Sequence, residues 1–165
     1  MTKAPSTTAR TGLRTATRTA PRRRARELVL QGLYQRQLSR NDADAVRLDL
    51  AASDHYQRAD QPYFGELWDG VTREADALLV ALTPYLDRKP AELSPIERAI
   101  LVIGAWELAH RVEIPYKVVI NEAVEIAKSF GGTDGHRYVN GVLDKFAANI
   151  RAPEIAALAR GTAAH

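Results

Sequence analysis

Residues 94–110 constrain this chain more than any other stretch. Ser94-Pro95-Ile96-Glu97 is a helix start, with serine as cap, proline in the first turn and glutamate three residues after the cap. The residues that follow include Ile96, Ala99, Ile100, Leu101, Val102, Ile103, Ala105, Trp106 and Leu108. They make the helix apolar on nearly every side. Such a helix belongs in the middle of a bundle, because no face of it is suited to water. The remaining chain must therefore supply the helices that surround it.

Apolar residues at helical spacing supply them. A first helix is expected to start near Pro21, with Leu30, Leu33, Tyr34 and Leu38 as its apolar face. Asn41-Asp42 ends it. A short second helix is expected from about Ala45 to Gln57, with Val46, Leu50 and Leu48 inward. Asp60-Gln61-Pro62 starts a third, which runs to about Leu82 before Thr83-Pro84. Residues 83–93 read as a loop. Ile114-Pro115 starts another helix that ends at Phe130, and Gly131-Gly132 forms a hinge. Thr133 or Asp134 caps the last long helix, which Pro153 stops. No alternating strand pattern stands out. The expected class is all-α: two packed helical-bundle halves, about three helices in the first and three to four in the second.

Length and composition set further bounds. One domain of 165 residues can bury a real core. The chain has no cysteine, which excludes disulfides, thiolate metal sites and cysteine nucleophiles and fits a reducing compartment. No apolar run approaches the ~20 residues a membrane-spanning helix needs. The net charge of +3 hides an asymmetry: residues 1–26 carry eight basic residues and no acidic one. A cationic head on a mildly acidic body suits polyanion binding. The expected organisation is a disordered basic Thr/Arg-rich tail over 1–20, an all-helical domain over 21–152 and a C-terminal extension over 153–165.

Catalytic constellations are missing from the sequence. His55, His110, His136 and His165 show no metal-ligand spacing, and Ser94 and Ser129 lack a nucleophile elbow. No phosphate-cradling glycine loop is present. Glu122 with Glu125 reads as an ordinary solvated pair on a helix. Neither metal nor cofactor is expected, and the chain reads as a non-enzyme. Binding is better supported. Arg22, Arg23, Arg24 and Arg26 give four guanidiniums at the front of the first helix, where cations oppose the helix dipole and an anionic ligand would relieve the conflict. Around the glycine hinge, Lys128, Phe130, His136, Arg137 and Tyr138 mix cations with aromatic rings able to stack unpaired bases. Phe130 and Tyr138 also fit a packing role. Asp134 fits a helix cap, and on a binding face it would repel phosphate.

Four blocks of the chain resemble the NusB family of transcription antitermination factors. They are RRRARELVLQGLYQ at 22–35, PYL at 84–86, ERAILVIGAWEL at 97–108 and PYKVVINEAVEIAKSFGGTDGHRYVNGVLDK at 115–145. The last is the most specific. The resemblance implies an all-helical, non-enzymatic adaptor in the cytoplasm. It would pair with NusE, a small-subunit ribosomal protein, and bind boxA-type single-stranded leader RNA. The pair would join the RNA polymerase antitermination complex on ribosomal RNA operons. Carried over by motif, Arg22, Arg23, Arg24, Arg26, Tyr138 and the neighbourhood of Asp134 would contact RNA. Tyr34, Tyr85, Arg88, Glu97 and Arg98 would lie near the partner surface. Two positions depart from the family pattern: Val102 stands where arginine is common, and Trp106 where tyrosine is. Alternative readings are the recognition module of an RNA cytosine methyltransferase system, a structural helical adaptor, or a DNA-binding helix-turn-helix. A homodimer is also left open.

Overall fold

The computed structural model describes the backbone of residues 8–163 and the side chains of residues 19–162. The described residues form eight α-helices and no strand: α1 Thr8–Ser39, α2 Ala43–Ala51, α3 Asp54–Arg58, α4 Gln61–Leu82, α5 Pro95–His110, α6 Tyr116–Phe130, α7 Gly135–Ile150 and α8 Ala152–Ala163. Two 3-10 turns, Thr83–Tyr85 and Pro90–Glu92, connect α4 to α5. The class is all-α, as expected. The first helix, however, is described from Thr8, well before Pro21, so proline sits inside it. Of the tail expected over 1–20, residues 1–7 lie outside the described residues.

Helix α5 occupies the centre. It packs against α1 and α4 on one side and α6 and α7 on the other, and every residue from Ala99 to Leu108 is buried. Its start follows the sequence signal, with Ser94 Oγ accepting the Glu97 N–H at 3.2 Å. At its other end, Arg151 is the device the sequence did not reveal. This buried guanidinium donates to the carbonyls of Leu108 (2.7 Å), Ile114 (3.0 Å) and Arg111 (2.9 Å). It thereby satisfies carbonyl groups at and beyond the end of α5, and a cation is favourable there.

Arg151 also ties down α8. Its guanidinium pairs with Glu154, which in turn accepts the backbone N–H of Tyr116 at 3.0 Å. Partial burial pushes the Glu154 carboxyl up, but the Tyr116 N–H and Arg151 outweigh it and hold the group below its ordinary range. Helix α7 ends at Ile150, and Pro153 takes a first-turn place in α8 instead of ending α7.

Two expected apolar faces are corrected. The buried stripe of α1 is Ala25, Leu28, Val29 and Leu30, whereas Tyr34 and Leu38 are exposed. The stripe is turned by the demands of α4 and α5, and Gly32 faces the Trp68 ring so closely that a Cβ there would lie 2.5 Å from it. The expected second helix is two helices, because Ser53 breaks it: its Oγ accepts from Tyr56 N at 3.3 Å and caps α3. Val46 and Leu50 point inward as expected, and Leu48 is exposed.

A buried polar cluster joins the halves. Arg26, only 3% exposed, donates two hydrogen bonds to Glu107 at 2.7 and 2.9 Å. Tyr63 Oη donates to the same carboxylate at 2.7 Å. Burial opposes the charge on Arg26, yet Glu107 holds its pKa above the ordinary arginine value. Tyr63 is likewise raised, by burial and by the Glu107 charge. One cluster thus links α1, α4 and α5.

Two variants test this packing. A Cβ at Gly70 would come within 2.2 Å of the Trp106 indole. Gly70→Ala should therefore lower stability by about 1–3 kcal/mol despite the ~1 kcal/mol gain in helix propensity; an unchanged urea midpoint would refute the close approach. Arg26→Ala should cost about 3–5 kcal/mol by stranding Glu107. Arg47→Ala, at the exposed Arg47–Asp69 pair, should cost less than about 1 kcal/mol in the same titration.

Candidate nucleic-acid interface

The four arginines of the 22–26 block do not share one fate. Arg26 is buried in the cluster just described, so the expectation that it contacts RNA is corrected: its guanidinium is used up by Glu107. Arg23 donates two hydrogen bonds to Glu122 of α6, at 2.8 and 2.9 Å, and the Glu122 bond raises its pKa against a small burial penalty. Arg22 is half-buried, lies over the Tyr63 ring at 4.7 Å and sits 3.7 Å from Asp60. Arg24 makes a long bond of 3.4 Å to the Arg58 carbonyl. The block therefore offers Arg24, Arg22 and the outer edge of Arg23 to an anion.

Glu122 corrects a second expectation. It is 4% exposed, not part of a solvated pair with Glu125. Val119, Glu122, Ala123 and Ile126 form the buried stripe of α6, and Glu122 is the carboxylate within it. It takes Arg23 as its partner and lies 3.8 Å from Arg26. That pairing fixes the front of α1 to α6, which carries the chain to the glycine hinge.

A depression of about 450 Å³ beside Thr19, Arg23, Arg24 and Glu27 opens along the middle of α1. Glu27 also lines a second groove of about 590 Å³, together with Leu30, Gln31, Tyr34, Ile96 and Phe130. The two share Glu27 and so form one path along α1. Its far part is apolar and aromatic: Tyr34 is 38% exposed and Phe130 50% exposed. A stripe at positions 27, 30, 31 and 34 is one face of a helix. Glu27 lies 3.3 Å from His55, which also borders the groove, so a carboxylate interrupts the cationic path at its midpoint.

The other assigned residues gather elsewhere. Tyr138 is half-buried, with the Arg88 guanidinium over its ring at 4.1 Å. Its hydroxyl is buried without a hydrogen-bond partner, and burial together with the nearby Asp87 charge raises its pKa. Arg88 is held by Asp87 at 2.9 Å, a contact that lowers the Asp87 carboxyl. Tyr85 meets Phe146 edge-on at 5.9 Å, and its hydroxyl accepts from Asn149 at 3.0 Å. Tyr138, expected on the RNA side, and Arg88, expected on the partner side, thus form one contact. The first turn of α5 touches both regions. Ile96 lines the groove, and the neighbouring Glu97 reaches within 3.6 Å of the Cβ position of Gly135, where α7 begins.

Lys128 is exposed and 3.3 Å from Glu125, in the last turn of α6. Asp134 is exposed at the cap position of α7, but its side chain makes no capping bond. His136 is half-buried and Arg137 exposed on the first turn of α7. Arg98 lies away from this path, in a different pocket with Arg36 and Arg40. Glu27, His55 and Ile96 join the site without having been marked in the sequence. A carboxylate two turns before Tyr34, on the same face of α1, was the available signal for Glu27. No local pattern marks His55 or Ile96, which only the packing of α3 and α5 brings in. Among the described residues no group of His, Asp and Glu side chains is gathered as a metal site, and no helix is long and apolar enough to cross a membrane.

The family model described as NusB family matches residues 23–148. A Ralstonia pickettii protein named transcription antitermination protein NusB is 59% identical over 136 residues, covering 82% of this chain and 88% of its own. A Bordetella pertussis protein of the same name is 52% identical over 143 residues, with 84% and 93% covered. The solved structure of T. maritima NusB superposes with a TM-score of 0.70 at 28% identity, over 78% of this chain and 92% of that one. A crystal structure of NusB and NusE in complex with dsRNA shares the fold, with a TM-score of 0.65 at 21% identity, covering 76% and 94%. Sequence and fold agree, and the chain belongs to the NusB family.

Proposed function

We propose that this protein is a transcription antitermination factor of the cytoplasm that binds single-stranded, boxA-type leader RNA together with NusE. In that role it joins the RNA polymerase antitermination complex and promotes processive transcription of ribosomal RNA operons. The observation that carries the reading is the pair of depressions that adjoin at Glu27 on α1, one beside Arg23 and Arg24 and the other beside the exposed rings of Tyr34 and Phe130. Guanidiniums hold phosphate oxygens in a forked geometry. Aromatic rings beyond them take unpaired bases, each worth ~1–3 kcal/mol. A duplex keeps its bases stacked on one another and has no use for the rings. The antitermination names of relatives that align over most of the chain support the same role.

Glu27 sets the tone of this site. A carboxylate beside the path repels phosphate, so affinity comes from few charges and is completed by the partner protein. NusE would sit against the Tyr34, Glu97 and Arg88–Tyr138 side, next to the groove, where RNA and partner share one edge.

Fluorescence anisotropy with a labelled boxA-type single strand tests the reading. About three partly exposed arginines, Arg22, Arg23 and Arg24, give a log–log salt slope near −2. Arg24→Ala should weaken binding to all RNAs and flatten that slope. The double variant Tyr34→Ala/Phe130→Ala should weaken binding about ten-fold or more with the slope unchanged. Purified NusE should tighten the parent complex. Duplex RNA binding as well as the single strand, or a double variant that binds like the parent, would overturn the proposal.

A further inference from the structure

A third pocket, of about 360 Å³, opens between α1, α4 and α5. Its lining is divided by chemistry. Leu33, Leu79, Ala99 and Val102 make an aliphatic floor, and Arg36, Arg40 and Arg98 stand around it. Among the described residues no carboxylate lines it, and none of these three arginines has an ion pair, as is also true of Arg24, Arg58, Arg73, Arg137 and Arg160; what sets the three apart is that they stand around one aliphatic floor. Arg36 makes only a long 3.4 Å bond to the Asn41 carbonyl.

Arg40 adds an independent observation. Its φ is +56°, among the described residues the only positive value at a residue other than glycine. Its N–H closes α1 on the Arg36 carbonyl at 2.9 Å. Glycine or asparagine is the usual residue for such a helix end. An arginine in that conformation carries strain, and strain of this kind collects at sites of function.

The pocket uses a different stripe of α1 from the groove: positions 33, 36, 37 and 40 instead of 27, 30, 31 and 34. It therefore stands apart from the RNA reading. The volume is at the lower end of the range of ligand sites. Its floor is aliphatic and holds no aromatic ring for a nucleobase to stack on. Free guanidiniums around an aliphatic cup match carboxylates flanking a branched aliphatic side chain.

We infer that the α1–α4–α5 pocket is a docking site for an acidic segment of a partner protein, which seats a Leu, Ile or Val side chain on the floor while its Asp or Glu carboxylates engage Arg36, Arg40 and Arg98. Recognition of acidic motifs by arginine clusters is a recurring mode. Val102 takes part directly: an arginine there would occupy the space that the aliphatic anchor needs.

Selection of displayed random dodecapeptides on the full chain tests the assignment. The expected winners carry two or more acidic residues beside Leu, Ile or Val. A synthetic winner should bind Arg98→Gln and Arg40→Gly about ten-fold more weakly, and Arg24→Ala as well as the parent. Arg40→Gly also separates binding from folding. Glycine suits the positive φ, so the melting temperature should hold or rise while peptide binding falls. The inference is overturned if no acidic–aliphatic class is enriched, or if the winners bind the Arg98 and Arg40 variants unchanged. It is also overturned if single-stranded RNA displaces the peptide and itself loses affinity on Arg98→Gln, which would make the pocket part of the RNA site.

Discussion

The buried pair of Arg26 and Glu107 is the contact on which the rest of the molecule is arranged. Two charges withdrawn from water are tolerable only with near-complete hydrogen bonding. The pair has it: two parallel bonds between guanidinium and carboxylate, a third from Tyr63, and Glu122 nearby as a second counter-charge. These partners come from α1, α4, α5 and α6. The geometry cannot be met unless all four helices are in register. The pair thereby specifies one packing among the many that greasy helices would allow.

That register has a consequence at the surface. Glu122 holds Arg23 on the outer side of the same cluster, so the middle of α1 is tied to the middle of α6. The exposed arginines therefore open into a groove that ends at Phe130. Core and interface are continuous: the guanidinium four residues along from Arg22 is structural, and its neighbours face solvent. With α1 described from Thr8, the arginine block sits in mid-helix, so the macrodipole conflict expected there does not arise, and carboxylates of other helices take part of its charge while the rest is left for a ligand.

Helix α1 also serves two surfaces with two chemistries. One stripe pairs aromatic rings with a sparse set of cations and a carboxylate. The other pairs aliphatic residues with arginines free of counter-charges. A 3.6-residue repeat makes this economical, since three residues along the helix change the face by a modest angle and six change it decisively. The same helix can carry one site per face while its third face is fixed in the core.

The helical class, the central place of α5, the cap at Ser94, the span of α4 and the hinge at Gly131-Gly132 were legible in the sequence because each is a local signal. Periodicity, caps and breakers act over a few residues and need no knowledge of neighbours. Membership of the family was legible for a related reason, since long ordered blocks carry it. What stayed hidden depended on partners distant in the chain. Arg26 and Arg24 look alike in sequence, and only Glu107, eighty-one positions away, makes one of them structural. Glu122 reads as solvated until α1 covers it. Tyr138 reads as a stacking platform until Arg88 lies on its ring. Nothing local marks Arg151, whose role exists only where the end of α5 presents its carbonyls. Local chemistry thus decided which helices form and where they stop. Tertiary structure alone decided which charges are consumed in the interior and which remain for a ligand, because desolvation and pairing are set by neighbours in space.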